Sequence, residues 1–289
     1  NTGIVSIRVL DGEGRGVTSD VMAGLDWILA NAAQEKIRVV NLSLGKAVTE
    51  SAATDPLVVA AEAVWNAGIV VIVSAGNFGR DGNFTITSPG NSPKLITVGS
   101  LTDNSTNSFS DDYVSTFSSR GPTSLDNFLM PDLVAPGNKI ISKTSGKSKM
   151  AKDLHKNMKG KNSLELSGTS MAAAMTSGTA ALMLSTDSHL SPSTVKARLM
   201  RSARKIDEDP TAAGAGVLDI EAALAETGVM TTQALSPRMA RSTQSNGILI
   251  ENTAVLWGRR ESAGQWFPLV RRRSLGERLP LVRRRALGQ

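Results

Sequence analysis

The first hundred residues alternate short apolar runs with longer segments whose apolar positions recur at helical spacing. The runs predict four strands, at residues 4–10, 37–44, 69–77 and 94–101. Two intervening segments predict helices, one with Ser19 as its N-cap and one with Pro56 in its first turn and Gly68 past its end. Near-continuous apolar strands separated by helices predict a three-layer α/β domain, with a mostly parallel sheet covered on both faces.

The second half of the chain follows a different pattern. Turn signals dominate residues 105–137, and a lysine-rich segment at 143–161 with little apolar content is predicted to be a solvated loop. Three more helices are expected, at about 169–184, after Ser191 and Pro192, and around 218–226. The pattern weakens afterwards, so we predict one domain over residues 1–227 and a C-terminal extension over 228–289.

Composition narrows the function classes. A chain of 289 residues with 40% hydrophobic content can bury a sizeable core. It has no cysteine, which excludes disulfides, thiolate metal ligands and a cysteine nucleophile. No long apolar run or leader is present and the first residue is Asn1, so we expect no membrane span and interpret the chain as an internal piece of a longer product.

The net charge of +6 lies in one part of the chain. Residues 256–289 contain nine arginines and two glutamates, which leaves residues 1–255 at −1. This tail repeats PLVRRR at Pro268 and Pro280, and we predict that it is disordered from about residue 256. Because the basic charge lies outside the domain, nucleic acid is not an expected partner.

Candidate chemistry is sought beyond the carboxyl ends of the strands, where open parallel sheets bind ligands. This rule selects Asp11, residues 43–45 and residues 75–77. Ser170 begins an apolar helix, where free backbone N–H groups and the helix dipole can stabilise an oxyanion. A serine at a helix start, however, more often caps or packs than catalyses.

Several short motifs occur together and in order. They are NLSLG at 41–45, VSAGN at 73–77, FSSRGP at 117–122, PDLVAPG at 131–137, LSGTSMAA at 166–173 and GAGVLD at 214–219. This series resembles the subtilisin-like serine proteases over about residues 4–225. The resemblance implies a serine endopeptidase that hydrolyses protein or peptide substrates through an acyl-enzyme.

The resemblance assigns roles residue by residue. Ser170 matches the family's nucleophile, and Asn77 matches the side-chain amide of its oxyanion hole. The matches to the substrate-binding strand edge are Ser43, Leu44 and Gly45, and the matches to a wall of the specificity pocket are Ala75 and Gly76. Two simpler interpretations stay open: Asn77 as a turn residue, and the small residues as tight packing beneath a loop.

The chain departs from the family pattern at the histidine that serves as the catalytic general base. The family order is Asp, then His, then Ser, but no H-G-T-H type motif is present, and His155 and His189 lie in predicted solvated loops. Asp11 ends a predicted strand, as the family's catalytic aspartate does. NLSLG follows only one helix later, however, which matches the family's strand after the missing histidine motif, so we interpret Asp11 as a turn residue. We therefore expect a fold incomplete at its N-terminus, and little proteolytic activity from these residues alone.

A smaller departure is at Ala174 and Met175, where the family usually has proline and often histidine. Alanine keeps the helix, so Ser170's role is unaffected. The α/β-hydrolase alternative is excluded because the last glycine of G-x-S-x-G is missing. A second hypothesis remains, that of a non-catalytic, protease-like peptide-binding scaffold with a basic tail.

The resemblance also bears on cofactors and location. Catalysis requires no cofactor, and family members commonly bind structural calcium, but no D-x-[DN]-x-[DN]-G loop occurs, so no metal ligand is assigned. Secretion is implied for most members. Substrate specificity and oligomeric state are not predicted.

Overall fold

The computed structural model describes residues 2–241 and 248–251, and its centre is a five-stranded sheet. The strands are Val39–Leu42 (β1), Val70–Ser74 (β2), Ile96–Thr102 (β3), Tyr113–Val114 (β4) and Leu133–Pro136 (β5). β1 pairs with β2, β2 with β3, and β3 with β5, all in parallel, while β4 runs antiparallel to the end of β3. Every residue of β2 and β3 is buried, as their unbroken apolar runs predict.

Helices cover both faces of this sheet, so the predicted three-layer class is confirmed. The helices of the described chain are Thr18–Glu35 (α1), Pro56–Asn66 (α2), Lys149–Asp153 (α3), Thr169–Thr186 (α4), Pro192–Ser202 (α5), Pro210–Ala213 (α6) and Ile220–Ala225 (α7). α4 packs against β1, β2, β3 and β5, so it lies across the centre of the sheet. Ser170, in the first turn of α4, is thereby held at the sheet's carboxyl edge.

The helix starts follow capping chemistry except in α1 and α4, neither of which has a side-chain cap. Asp55, Ser191 and Asp219 each accept a hydrogen bond from a backbone N–H in the first turn of α2, α5 and α7. The prediction that Ser19 caps α1 is wrong. Val17 occupies the cap position, and the helix begins without a side-chain acceptor.

The predicted strand at residues 4–10 is also wrong. This segment forms no strand, and Ile4 is 91% exposed. Ile7 and Val9 are half-buried and reach the α1 surface, where a Cβ on Gly24 would lie 2.7 Å from Val9 Cγ1. An apolar run becomes a strand only when its backbone groups find a partner strand, and none in the described part of the chain pairs with this segment.

Two hairpins complete the described structure. Ile140–Lys143 (β6) pairs with Ser163–Leu166 (β7), and Arg238–Arg241 (β8) pairs with Ile248–Glu251 (β9), both antiparallel. The lysine-rich segment joins β6 to β7 and is largely exposed, as predicted, although it also contains α3 and a short 3₁₀ helix at His155–Asn157. β7 ends three residues before α4 begins.

Residues beyond Thr227 continue to pack against the preceding body. Ala234 and Ser236 are buried, and the carbonyl of Pro237 accepts a hydrogen bond from Leu129 N. The division of the chain at Thr227 stays a prediction, but this contact continues at least to the start of β8. The predicted disordered tail lies outside the described residues.

Candidate active site

The carboxyl ends of β1, β2 and β5 bring the predicted site residues together across the start of α4. Gly168 N donates to the carbonyl of Gly137 after β5 (2.8 Å), and Thr169 N donates to Asn77 Oδ1 after β2 (3.0 Å). Ser170 Oγ lies 3.3 Å from the carbonyl of Ser43 after β1. Residues 168–170 therefore cross three strand ends in turn and place the Ser170 hydroxyl nearest β1.

Ser170 has the surroundings that acyl chemistry needs on its oxyanion side. It is the second residue of α4, and its side chain is half-buried. Within the described chain its backbone N–H has no acceptor, while Met171 N already donates to the carbonyl of Gly168. An unpaired N–H next to the hydroxyl, at the positive end of a helix, is a donor available to a developing oxyanion.

Thr169 fixes the orientation of the Asn77 amide. Both the backbone N–H and the hydroxyl of Thr169 donate to Asn77 Oδ1, at 3.0 and 3.1 Å. The carbonyl end of the amide is therefore turned toward Thr169, and Nδ2 makes no hydrogen bond within the described residues. Because Asn77 is exposed, its amide N–H groups are accessible to a bound substrate. Thr169 lies in the LSGTSMAA motif, but sequence analysis assigned it no role.

A chain of hydrogen bonds links Ser170 to β1 and back to α4. Ser43 Oγ donates to the carbonyl of Ser170 (3.0 Å) and accepts from Asn41 Nδ2 (2.9 Å). Ser177, two turns further along α4, donates to Asn41 Oδ1 at 3.1 Å. Ser43 and Asn41 thus couple the first turn of α4 to the strand end that the resemblance assigns to substrate binding.

The assigned strand edge has unused backbone groups. The N–H and C=O groups of Leu44 and Gly45 form no hydrogen bonds within the described part of the chain, whereas the next residue, Lys46, pairs with Ser88. Ser43 and Gly45 are exposed. Such an edge can accept an added peptide strand through main-chain hydrogen bonds.

Close packing beneath this edge explains the glycines. A Cβ on Gly45 would lie 2.7 Å from Thr87 Oγ1, and a Cβ on Gly76 would lie 2.7 Å from Ser119 Oγ and 2.9 Å from Thr87 Cγ2. Gly76 also has φ +108°, which disfavours any side chain. Thr87 and Ser119, to which sequence analysis assigned no role, therefore lie beneath the two segments. The adjoining Ala75 is buried.

Neither histidine forms a hydrogen bond with Ser170 in the described part of the chain. His189 follows the C-terminus of α4, an 18-residue helix that spans about 27 Å, so it lies at the opposite end from Ser170. His155 lies in the 3₁₀ helix of the lysine-rich loop and is exposed. The Ser170 hydroxyl instead donates to the Ser43 carbonyl, which cannot accept a proton for catalysis.

Asp11 adopts the turn expected from the sequence. Its Oδ1 accepts hydrogen bonds from the N–H groups of Arg15 (2.9 Å) and Glu13 (2.8 Å), which hold the pKa of this exposed carboxyl below its usual value. The carboxylate therefore acts within its own loop.

Metal binding and membrane insertion each need a recognisable structural feature. Within residues 2–241 and 248–251, no three or more His, Asp or Glu side chains are grouped so as to hold a metal ion. None of the described helices combines the length and apolar character needed to cross a bilayer.

The geometry agrees with the outcome of a family comparison. Residues 1–233 match the family model described as Peptidase_S8, the subtilase family. The chain belongs to the subtilase family. Its motifs thus surround a common site: NLSLG supplies the strand edge, VSAGN supplies Asn77, and LSGTSMAA supplies Thr169 and Ser170.

Curated relatives are serine proteases. The chain is 42% identical over 224 residues to serine protease AprX of Bacillus subtilis, covering 75% of this chain and 50% of AprX. It is 37% identical over 194 residues to the extracellular serine proteinase of a Thermus species, covering 67% of this chain and 39% of that protein. The chain therefore spans about half, or less, of the length of these relatives.

Solved structures share the fold. The prenylagaramide maturation protease PagA aligns with TM-score 0.55 at 22% identity, over 73% of this chain and 68% of its own. A mutant of the protease domain of PatA aligns with TM-score 0.54 at 23% identity, over 73% and 66% of the two chains. At these identities the similarity supports the fold alone.

Proposed function

We propose that this chain provides the nucleophile, oxyanion hole and substrate-binding edge of a serine endopeptidase. The observation that carries this proposal is the arrangement of Ser170, with its unpaired N–H, beside an Asn77 amide whose N–H groups are free. Two such donors would stabilise the negative charge of a tetrahedral intermediate. In subtilisin, a member of this family, loss of one oxyanion-hole donor lowers kcat by roughly 10²–10³.

The steps assigned to these residues follow from their positions. A peptide substrate adds as a strand to Leu44 and Gly45, whose backbone groups are free, and its scissile carbonyl faces Ser170. Ser170 Oγ attacks the carbonyl carbon, and its proton passes to a base. Asn77 Nδ2 and the Ser170 N–H hold the oxyanion until the C–N bond breaks and the amine leaves with the proton that the base returns. Water, deprotonated by the same base, then hydrolyses the acyl-enzyme and regenerates the Ser170 hydroxyl.

We propose further that the base and its orienting carboxylate are not among these 289 residues. His189 lies beyond the far end of α4, the exposed His155 lies in the lysine-rich loop, and the Asp11 carboxylate is used in its own turn. In subtilisin, loss of Ser or His alone costs about 2 × 10⁶ in kcat. The isolated chain should therefore have very low activity, and in the complete protein a histidine from another segment would complete the site.

Two chains tested in parallel check this proposal. The purified 289-residue chain and a longer chain, extended by the in-frame residues encoded before Asn1, are incubated with casein, each with a Ser170→Ala control. Hydrolysis by the longer chain alone, abolished by Ser170→Ala, is the expected result. Robust, Ser170-dependent hydrolysis by the 289-residue chain would contradict the absent base. A longer chain that binds peptides without cleaving them would favour the non-catalytic scaffold.

Location and metal content are separate proposals. Relatives include a protein named as extracellular, and we propose export for the complete protein. Structural calcium, implied by the resemblance, is kept as a proposal without assigned ligands.

A further inference from the structure

The lysine-rich loop between β6 and β7, residues 143–161, has no role in the proposed function. It contains seven lysines and one aspartate, a net charge of +6, while residues 1–255 as a whole carry −1. The rest of that region is therefore net acidic. A positively charged loop on a negatively charged domain concentrates positive electrostatic potential in one place.

Most of this charge is not neutralised locally. Lys149 pairs with Glu13 (3.2 Å) and Asp153 (3.1 Å), and Lys159 pairs with Glu165 at 3.2 Å. The other five lysines are exposed and have no carboxylate within 4 Å in the described part of the chain: Lys143, Lys147, Lys152, Lys156 and Lys161. These five ammonium groups are available to a partner.

The loop is held in place by hydrogen bonds. Thr144 N donates to the carbonyl of Asn162, Lys159 N donates to that of Ser163, and Asn157 Nδ2 donates to that of Glu165. Ser148 caps α3, and Ala151 within α3 is buried. The backbone that carries these lysines is therefore held in a defined conformation.

The fold places this loop on the opposite side of Ser170 from the substrate-binding edge. The chain passes from β5 at Gly137, past Asn77, to β1 at Ser43 as it enters α4, so the β6–β7 hairpin lies on the β5 side. A peptide bound along Leu44 and Gly45 would, if it continued in a straight line past Ser170, approach this hairpin. The four residues of β7 span about 13 Å, so the loop is reached several residues beyond the scissile bond.

We propose that the lysine-rich loop binds acidic side chains of the peptide on the leaving-group side of the scissile bond, from about its third residue onward. The inference rests on the proposed peptide-binding function. An acidic peptide fits better than nucleic acid for two reasons. Residues 143–161 contain no Phe, Tyr or Trp on which a base could stack, and a long polyanion would extend over the net acidic body.

The test measures peptide binding, which does not require a complete catalytic site. Two fluorescein-labelled peptides share the same acyl-side sequence and carry either three Glu or three Gln at the third to fifth leaving-group positions. Their affinity is measured by fluorescence anisotropy with the full chain carrying Ser170→Ala, so that binding is separated from cleavage. We expect the Glu peptide to bind about tenfold tighter in dilute salt, with the ratio approaching one at high salt.

Two matched triple variants locate the effect. Lys147→Gln, Lys152→Gln and Lys156→Gln together should abolish the Glu preference, because they remove three of the unpaired ammonium groups. Arg271→Gln, Arg272→Gln and Arg273→Gln remove the same charge from the tail and should keep the preference. Thermal unfolding confirms that each variant is folded.

The contrary outcomes are distinguishable. Equal binding of both peptides would overturn the loop proposal and leave the peptide-binding edge intact, whereas binding of neither would overturn both. A preference that depends on the tail arginines and not on the loop would also overturn it. A single-stranded DNA of equal charge that displaces the Glu peptide through the loop lysines would replace the acidic peptide with nucleic acid as partner.

Discussion

At the scale of single residues, the site depends on groups that orient others. Asn77 is half of the proposed oxyanion hole, but its amide is turned by Thr169, which donates twice to Oδ1. The sequence identified Asn77 and Ser170 through their motifs. Thr169 could not be assigned a role because an Asn side chain has no preferred orientation until a neighbour provides a donor or an acceptor.

Replacement of Thr169 by valine should therefore reduce turnover in the proteolytically active protein. Valine keeps the shape and the backbone donor but removes two hydrogen bonds, the one that Thr169 Oγ1 donates to Asn77 Oδ1 and the one that it accepts from Gly76 N. Loss of the bond to Asn77, worth about 1 kcal/mol, corresponds to roughly a fivefold loss in kcat. Thr169→Ser keeps the hydroxyl and should remain near the parent rate. Steady-state kinetics on a peptide amide check this. A loss confined to KM would indicate a substrate contact instead of an orienting role.

Asp55 leads to a prediction about acid stability. Burial disfavours its carboxylate, but the Lys46 ammonium at 2.9 Å and the Leu57 N–H at 3.0 Å outweigh burial and lower its pKa. A carboxyl with a lowered pKa in the folded state stabilises the protein above its unfolded pKa near 3.8, and this stabilisation is lost as the pH falls further.

Asp55→Asn keeps the helix cap and removes the charge. The free energy of unfolding should fall by about 1–2 kcal/mol at pH 7, and the difference from the parent should shrink below pH 4. Urea denaturation across this pH range measures it. Asp26→Asn, at an exposed site, serves as the control and should follow the parent curve. A difference that is constant with pH would show that the Asp55 charge is not responsible.

At the scale of elements, two loops pack backbone to backbone next to Asn77. Gly79 N donates to the carbonyl of Phe117, Phe78 N donates to Ser119 Oγ, and Ser119 N donates to the carbonyl of Gly76. Hydrogen bonds thus connect the segments that contain the VSAGN and FSSRGP motifs, which are far apart in the chain. This contact joins residues about 40 positions apart, so local pattern does not reveal it.

Two glycine-to-alanine changes should have opposite effects. At Gly79 a Cβ would overlap sterically with the Ser118 carbonyl oxygen. Gly79→Ala must therefore displace one of the two loops, and it should destabilise the protein by more than about 1 kcal/mol. At Gly178, inside α4, a Cβ meets no described atom within 4 Å, so Gly178→Ala should stabilise by about 0.5–1 kcal/mol. Denaturant unfolding of both variants tests the pair, and a destabilising Gly178→Ala would indicate an unseen contact.

At the scale of the whole molecule, one buried ion pair joins the sheet, α5 and the C-terminal segment. Lys196 and Asp132 are both fully buried, 3.2 Å apart. Lys196 Nζ also donates to the carbonyls of Pro93 and Leu95, and Ser236 Oγ donates to Asp132 Oδ1. Burial raises the pKa of Asp132 and lowers that of Lys196, while the attraction between the two opposes both shifts.

Lys196→Met should be strongly destabilising. It leaves the Asp132 charge buried without its partner, which costs about 3–5 kcal/mol. Chemical denaturation measures the loss, with exposed Lys152→Met as the control that should stay within about 0.5 kcal/mol of the parent. Adding Asp132→Asn to Lys196→Met should recover part of the loss, and no recovery would show that the Lys196 hydrogen bonds dominate.

The sequence alone determined the layers of this protein and most of its helix boundaries. Continuous apolar runs specify the buried parallel strands β2 and β3, and residues such as Asp55 and Ser191 specify helix starts, because these effects act over a few neighbouring residues. The ordered motifs likewise selected Ser170 and Asn77 as candidates from the chain alone, and their catalytic roles stay proposals.

Tertiary structure decided whatever depends on a distant partner. The apolar run at residues 4–10 is not a strand because strand hydrogen bonds come from a neighbouring chain segment, which local pattern cannot specify. The positions of Thr169 beside Asn77, of Thr87 beneath Gly45 and of the lysine loop relative to Ser170 arise in the same way. Each depends on how strand ends meet at one edge of the sheet, and that arrangement exists only in the folded chain.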